Sequence, residues 1–272
     1  MVAAAEHPES GTAAPRVVKS ADRTLDVLEE LARSPAALTL GELSRRLSIP
    51  KSSLHGLVRT LERRGWVEVD DSGLRFSLGV RAMQVAGSYL DHDRVLAAAQ
   101  QVLDTIANET GETVQLARFD GADVVYLAQR QARHPVRLIS SIGQRLPAHA
   151  TALGKALLSQ QNEGELDRRL SYPLPSLTEW TITEREQLVA DLRVARVRGY
   201  ASDEQEATQG LYCFAAAVPD PLGEPPTHSI SVSVPSFRMQ PGVRERIIAL
   251  LLEGTAQVGN RLGARDVEGS SR

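Results

Sequence analysis

Several function classes are excluded by residues this sequence lacks. It has one cysteine, Cys213, so neither an internal disulfide framework nor a cysteine-rich zinc site can be assembled within the chain. Its six histidines (His7, His55, His92, His134, His149, His228) are scattered without the close partner spacing of metal ligands, and neither a metal nor a cofactor is expected. No apolar run approaches the length a bilayer needs. The start, MVAAAEHPES, has no basic region and meets an acid at Glu6, so no secretory signal or membrane partner is expected and the cytoplasm is the default location. Lysine is also scarce: Lys19, Lys51 and Lys155 are the lysines among 31 basic residues, a bias toward arginine that carries no functional weight. No internal repeat is present.

What remains is ample. At 272 residues and 42% hydrophobic, the chain is long enough for two ordinary domains, each with its own core. The net charge of −3 argues against indiscriminate binding to polyanions, so its distribution matters more than its sum. Residues 16–90 hold 12 basic against 9 acidic side chains, whereas residues 91–272 hold 19 against 23. Between Arg45 and Arg64 lie six basic residues and one acid, Glu62. A merely solvated helical face usually mixes both signs; this one does not.

Residues 1–15, rich in Ala, Pro, Gly and Ser, read as a disordered leader. From Ser20 to Arg33, Leu25, Leu28, Leu31 and Ala32 mark an amphipathic helix with Ser20 or Asp22 as its cap. A short helix follows from about Leu40 to Leu47, and "SIP" forms a tight corner with Pro50 preset for the first turn of a third helix. That third helix turns Leu54, Leu57, Val58 and Leu61 inward and gathers Lys51, Ser52, Ser53, His55 and Arg59 on the other side, before Gly65 stops it. "WVEVDDSGLRFSL" then reads as a two-stranded hairpin. Three helices with a tight turn before the third, closed by a hairpin, describe a winged helix-turn-helix. The basic, hydroxylated flank of the third helix is thereby free to enter a major groove, with Arg45, Arg46 and Arg75 toward the flanking phosphates.

From Gly79 to about Asn108 the chain reads as helical, interrupted near "YLDHDR". Val80, Met83, Ala86 and Leu90 could form a dimer seam or equally cap the winged domain's own core. Beyond Gly111 the period changes to two: "TVQLARF" and "ADVVYLAQ" form a hairpin, and "PVRLI", "GYASD", "LYCFAAAV" and "HSISVSV" are further strands. Helices are expected through "TALGKALLSQ", over "TITEREQLVADLRVARVRG" with a capping box at Thr183 and Glu186, and over "VRERIIALLLEGTAQVGNRL". The irregular grouping favours an α+β domain with a largely antiparallel sheet flanked by helices.

The ordered stretches "SADRTLDVLEEL", "LTLGELSRRLSIPKSSLHGLVRTLERRGWVE", "LRFSLGVRAM", "LPAHATALGKALLS", "RGYASDEQEATQGLYCFAAAV" and "SISVSV" together resemble the IclR family of bacterial transcriptional regulators from about Val18 to Leu262. The resemblance implies a winged helix-turn-helix domain (16–78), a linker helix (79–94) and a GAF-like effector-binding domain (95–264), with a disordered tail at 265–272. It also implies homodimers or homotetramers on double-stranded operator DNA and a small-molecule effector. Carried onto this sequence, the family's pocket falls on Ala150, Thr151 and Ala152, on Asp203 and Cys213, and on Ser231 and Ser233. Serines two apart on a strand share one face, an arrangement suited to a small carboxylate or other oxygenated metabolite. The rival from another class is a cysteine-dependent hydrolase using Cys213, His149 and Asp203. It has no local hydrolase signature, and a lone cysteine on an apolar strand is more often core than catalyst.

Overall fold

A computed structural model describes residues 18–134 and 140–269, with side chains through Gly263. The expected leader (1–15) and the strand over "PVRLI" (135–139) lie outside the described residues. The chain divides into two compact units between Tyr89 and Leu90.

In the first unit, α1 (Lys19–Arg33) begins after Val18 without a side-chain cap, so Ser20 and Asp22 sit inside the first turn instead of capping it. Its inner stripe is Val27 and Leu31 with Leu28 beside them, while Leu25 is 58% exposed. The expected stripe was rotated because it overlooked Val27. Strand β1 (Leu38–Thr39) comes next and leads directly into α2 (Leu40–Leu47). Thr39 caps α2 with a reciprocal box: its hydroxyl accepts from the Glu42 N–H, and the Glu42 carboxylate accepts from the Thr39 N–H at 2.8 Å. At the corner, Ser48 takes a left-handed backbone (φ 53°) and Pro50 is the N-cap of α3 (Lys51–Arg63), one position earlier than expected. Strands β2 (Val67–Val69) and β3 (Arg75–Leu78) make the wing. Its sheet has three strands in the order β1-β3-β2, not two, because the two-residue β1 pairs with β3. Val27, Leu43, Leu54, Val58, Leu61 and Phe76 share the core beneath.

Helix α4 (Val80–Asp91) has no buried residue. Val80 (55%) and Met83 (69%) are exposed, so they do not close the winged domain's core.

The second unit opens with α5 (Arg94–Thr110), capped by Asp93, whose carboxylate accepts from the Leu96 N–H at 2.8 Å, and ended by left-handed Gly111. Strands β4 (Thr113–Asp120) and β5 (Asp123–Arg130) form the expected hairpin, followed by a short β6 (Arg145–Pro147). A single 3₁₀ turn leads into α6 (Ala152–Leu158), then α7 (Glu163–Arg169) and α8 (Arg185–Arg198). The three closing strands are β7 (Ala201–Glu204), β8 (Leu211–Ala217) and β9 (His228–Pro235), before α9 (Val243–Gly269). All pairings in the six-stranded sheet, ordered β6-β5-β4-β9-β8-β7, are antiparallel.

Both faces of this sheet are covered, and the period of two sorts the side chains. Ile230, Val232 and Val234 of β9, with Phe214 and Ala216 of β8, join the core under α5 and α9. Their neighbours Cys213 and Ala215 join the core under α6 and α8. The serines of β9 therefore point to the α6 side. Three expectations are corrected here. Helix α8 has Glu184 as its N-cap with no side-chain cap, because the Thr183 carbonyl is already paired with the Leu174 N–H and its hydroxyl bonds Glu184. Elements β6 and α7 were not anticipated. The last helix continues to Gly269, into the stretch expected to be a disordered tail.

Candidate functional site

Two surfaces carry the chemistry. On α3, Leu54, Val58 and Leu61 are buried while Lys51, Ser52, Ser53, His55 and Arg59 are exposed, and the first turn contains no acid. The alternation follows from 3.6 residues per turn: one stripe is held by the core and the opposite one left to solvent. Arg45 and Arg46 are exposed at the end of α2, and Arg75 is exposed on β3. All eight residues expected to meet DNA thus lie at the surface of one unit. Three are already engaged: Arg46 pairs with Glu30 at 2.8 Å, Arg59 with Glu62 at 2.8 Å, and Arg75 donates to the Ala37 carbonyl at 3.1 Å. Exposed pairs of this kind are weak and exchange readily for a phosphate or base.

The second surface is a cavity of about 290 Å³ between the sheet and α6. Its floor follows from strand register. One row crosses the sheet as Thr113–Ser233–Cys213–Asp203, with each residue directly opposite the next. The adjacent row runs Gln129–Gln115–Ser231–Ala215. Among the expected residues, Thr151, Ala152, Asp203, Cys213, Ser231 and Ser233 line the cavity. Ala150 does not; it is wholly buried in the 3₁₀ turn behind. Thr151 holds the start of α6, accepting from the Gly154 N–H at 3.1 Å.

Sequence reading missed Gln115, Tyr126, Ser140 and Gln144, which also line the wall. Alternation in "TVQLARF" places Gln115 opposite Val114 and Leu116, which ordinarily means solvent. With helices on both sides of this sheet, that side is the cavity, and Gln115 is 1% exposed. Its carboxamide oxygen accepts from Ser233 (3.2 Å) and Ser231 (3.4 Å), and its nitrogen donates to the Ser140 hydroxyl at 2.8 Å. Ser140 in turn donates to the Gln129 carboxamide oxygen at 2.8 Å.

The electrostatics are one-sided. Among the described residues, no lysine, arginine or histidine lines the cavity. Burial, reinforced by nearby Glu206, pushes the Asp203 carboxyl up to about 7, against the two backbone N–H groups of Glu206 and Ala207 that its oxygen accepts. Burial also raises the Cys213 thiol, which lies 3.3 Å from the Ser233 hydroxyl. Behind this loop Lys155, 1% exposed, is gripped by Glu206 at 2.5 Å and Asp191 at 2.9 Å. Burial alone would lower Lys155; the two carboxylates outweigh it and hold the ammonium charged. Thr178 and Thr181 donate to the Glu206 carbonyl and strap the same loop down. The hydrolase constellation is not assembled. His149 is absent from the lining, its Nε2–H donates to the Pro175 carbonyl at 2.9 Å, and burial lowers its pKa.

The helix-turn-helix domain of the IclR family matches residues 20–71, and the C-terminal domain of the bacterial transcriptional regulator IclR matches residues 87–260. The chain belongs to the IclR family. It is 34% identical over 226 residues to the transcriptional repressor IclR of Escherichia coli, covering 82% of each chain. Its fold matches an IclR transcriptional regulator from Alicyclobacillus acidocaldarius (TM-score 0.81, 28% identity, 91% of this chain and 100% of that one). It also matches an IclR homologue from Microbacterium hydrocarbonoxydans complexed with 4-hydroxybenzoate (TM-score 0.79, 24% identity, 90% and 99% covered). As an IclR-family transcriptional regulator, the chain joins a DNA-binding helix-turn-helix to an effector-binding domain. Among the described residues no helix is long and apolar enough to cross a membrane.

Proposed function

We propose that this protein is a cytoplasmic, ligand-responsive regulator that binds a near-palindromic operator as a dimer or a pair of dimers and senses a small oxygenated metabolite of the carboxylate class. The observation that carries the reading is the outward side of α3, where positive and hydroxyl side chains stand free of acids through the first turn. Lys51, Ser52, Ser53, His55 and Arg59 would meet base edges and phosphates, while Arg45, Arg46 and Arg75 would hold the flanking backbone. Two chains related by a two-fold axis would set their third helices into successive major grooves, giving half-sites about 10 bp apart or a multiple of it. The apolar side of α4, with Val80, Met83 and Ala86 outward, supplies a seam for that pairing.

For the effector, Thr151, Ala152, Asp203, Cys213, Ser231 and Ser233 line one cavity, and Ala150 supports the turn behind it. The relative bound to 4-hydroxybenzoate supports an oxygenated, carboxylate-bearing occupant of this class. The test has two arms. Selection of sequences from a random duplex pool by the purified protein should yield a near-palindrome with a footprint in both half-sites. A thermal-shift screen of small carboxylates should then find a compound that raises the melting temperature, since a ligand of the native state stabilises it. With that compound, Asp203→Ala or Ser233→Ala should abolish its effect on operator binding and leave the binding itself intact. An unselective pool, or a response that survives both substitutions, would overturn the proposal.

A further inference from the structure

One acid, Glu62, stands among the six basic residues between Arg45 and Arg64, and helix stability does not account for it. It lies in the last turn of α3 (Lys51–Arg63), where the helix dipole disfavours a negative charge. It also stands on the unit that the reading above offers to a polyanion, where every carboxylate weakens binding. What Glu62 holds is Arg59, whose Nη1–H donates to its Oε2 at 2.8 Å across three residues of the helix. With the arginine ahead of the acid, this is the less favourable order for such a pair, and an exposed pair adds little to stability. Its effect is therefore on what Arg59 can bind.

Arg59 has a side chain 60% exposed on the outward side of α3. Gly56, one turn earlier, places no side chain between it and a duplex, and a Cβ there would meet nothing in the chain within 4 Å. A guanidinium carries five N–H donors in one plane. Tying Nη1 to Glu62 fixes that plane and leaves the Nε–H and Nη2–H groups as a fork that matches N7 and O6 of guanine. The same carboxylate repels a phosphate that approaches Arg59. Arg59 can take a base without surrendering Glu62, whereas a phosphate would bring a second anion against the first.

We infer that Glu62 is a positioning residue for sequence recognition: it aims Arg59 at a guanine in each half-site and turns it away from the phosphate backbone. This rests on the operator-binding reading above and names the base that one of its side chains reads. The assignment also explains why an acid persists on the most basic stretch of the chain, where for affinity alone it is a cost.

Selection from a random duplex pool by full-length wild type, Arg59→Ala, Glu62→Ala and Glu62→Gln tests it, with binding to the wild-type selected duplex and to a scrambled one measured by mobility shift. Glu62 lies outside the core, so its variants keep the fold. Arg59→Ala should lose the preference at one position per half-site, a guanine in the wild-type selection. Glu62→Ala should lose the preference at that same position and no other. Its ratio of operator to scrambled affinity should fall about tenfold, while it binds the scrambled duplex more tightly than wild type. Glu62→Gln removes the charge but keeps an oxygen for Arg59, so it should still select the guanine. A Glu62→Ala protein that keeps the guanine, relaxes at other positions or binds the scrambled duplex no more tightly overturns the inference. So does an Arg59-dependent base other than guanine, or loss of the guanine in Glu62→Gln. A wild type that selects no sequence, or an Arg59→Ala protein that changes no position, removes the operator-reading role of α3 itself. A guanine lost with Arg59→Ala and kept with Glu62→Ala refutes this assignment alone.

Discussion

At the scale of single residues, Gly154 and Asp203 show how little of a site is announced by residue type. A Cβ on Gly154 would lie 2.2 Å from the Ala148 Cα and carbonyl oxygen, in main chain that cannot move aside. Gly154→Ala should therefore destabilise the effector domain by about 3 kcal/mol, and a melting temperature close to wild type would contradict the close crossing. Asp203 holds its proton more tightly folded than unfolded, with its pKa raised from 3.8 to about 7. Its contribution to stability is therefore complete below pH 3.8 and is lost as pH rises through about 7. Asp203→Asn lacks this dependence. The stability difference between wild type and Asp203→Asn should move in favour of the variant from pH 4 to pH 7.5, and a flat difference in denaturant titrations would rule the linkage out. Six of the seven expected pocket residues line the cavity because they sit on the segments "TALGK", "YASD", "YCF" and "SISVS". Gln115, Tyr126, Ser140 and Gln144 escaped because they become neighbours only when distant strands pair, and strand register is not written in local periodicity.

At the scale of elements, apolar spacing was sufficient for α2, α3, β4, β5, β8 and β9, where a strong stripe or clean alternation meets a core. It misplaced the inner face of α1 and missed β1, β6 and α7, which are too short to show a period. Capping was judged wrongly in both directions. Thr39 and Glu42 form the reciprocal box, whereas Thr183 and Glu186, with the same spacing, do not. The difference is backbone pairing: Thr183 is tied to Leu174 before α8 begins. Thr39→Ala should thus cost the winged domain about 1 kcal/mol, measured as a lowered melting transition, whereas Thr183→Ala should lose no cap. On α3, Arg59→Ala should weaken operator binding by about 1–3 kcal/mol and relax the sequence preference. Arg45→Ala and Arg46→Ala should weaken operator and random duplex alike. Mobility-shift titrations on both duplexes separate these outcomes, and an Arg59→Ala protein with unchanged preference would remove α3 from the base-reading role.

At the scale of the whole molecule, the division of labour was legible from charge and period. The basic surplus and 3.6-residue spacing lie before residue 90, and the period of two lies after Gly111. The surface for the proposed pairing of copies was not legible, because the same apolar residues on α4 suit either a core or a seam. Their exposure in the single chain favours the seam, and Met83→Glu should shift the protein toward single chains in light scattering while lowering operator affinity at least tenfold. An unchanged mass would remove α4 from the proposed pairing. The crossing at Gly154 has a further consequence for how such a sensor can change its diet. That crossing packs the start of α6 on the main chain of the preceding turn, so the backbone beneath the lining residues Thr151, Ala152 and Leu153 is held without help from the side chains that face inward. Exchanging one or two inward-facing side chains should therefore retune the vessel for another compound while its frame stays the same.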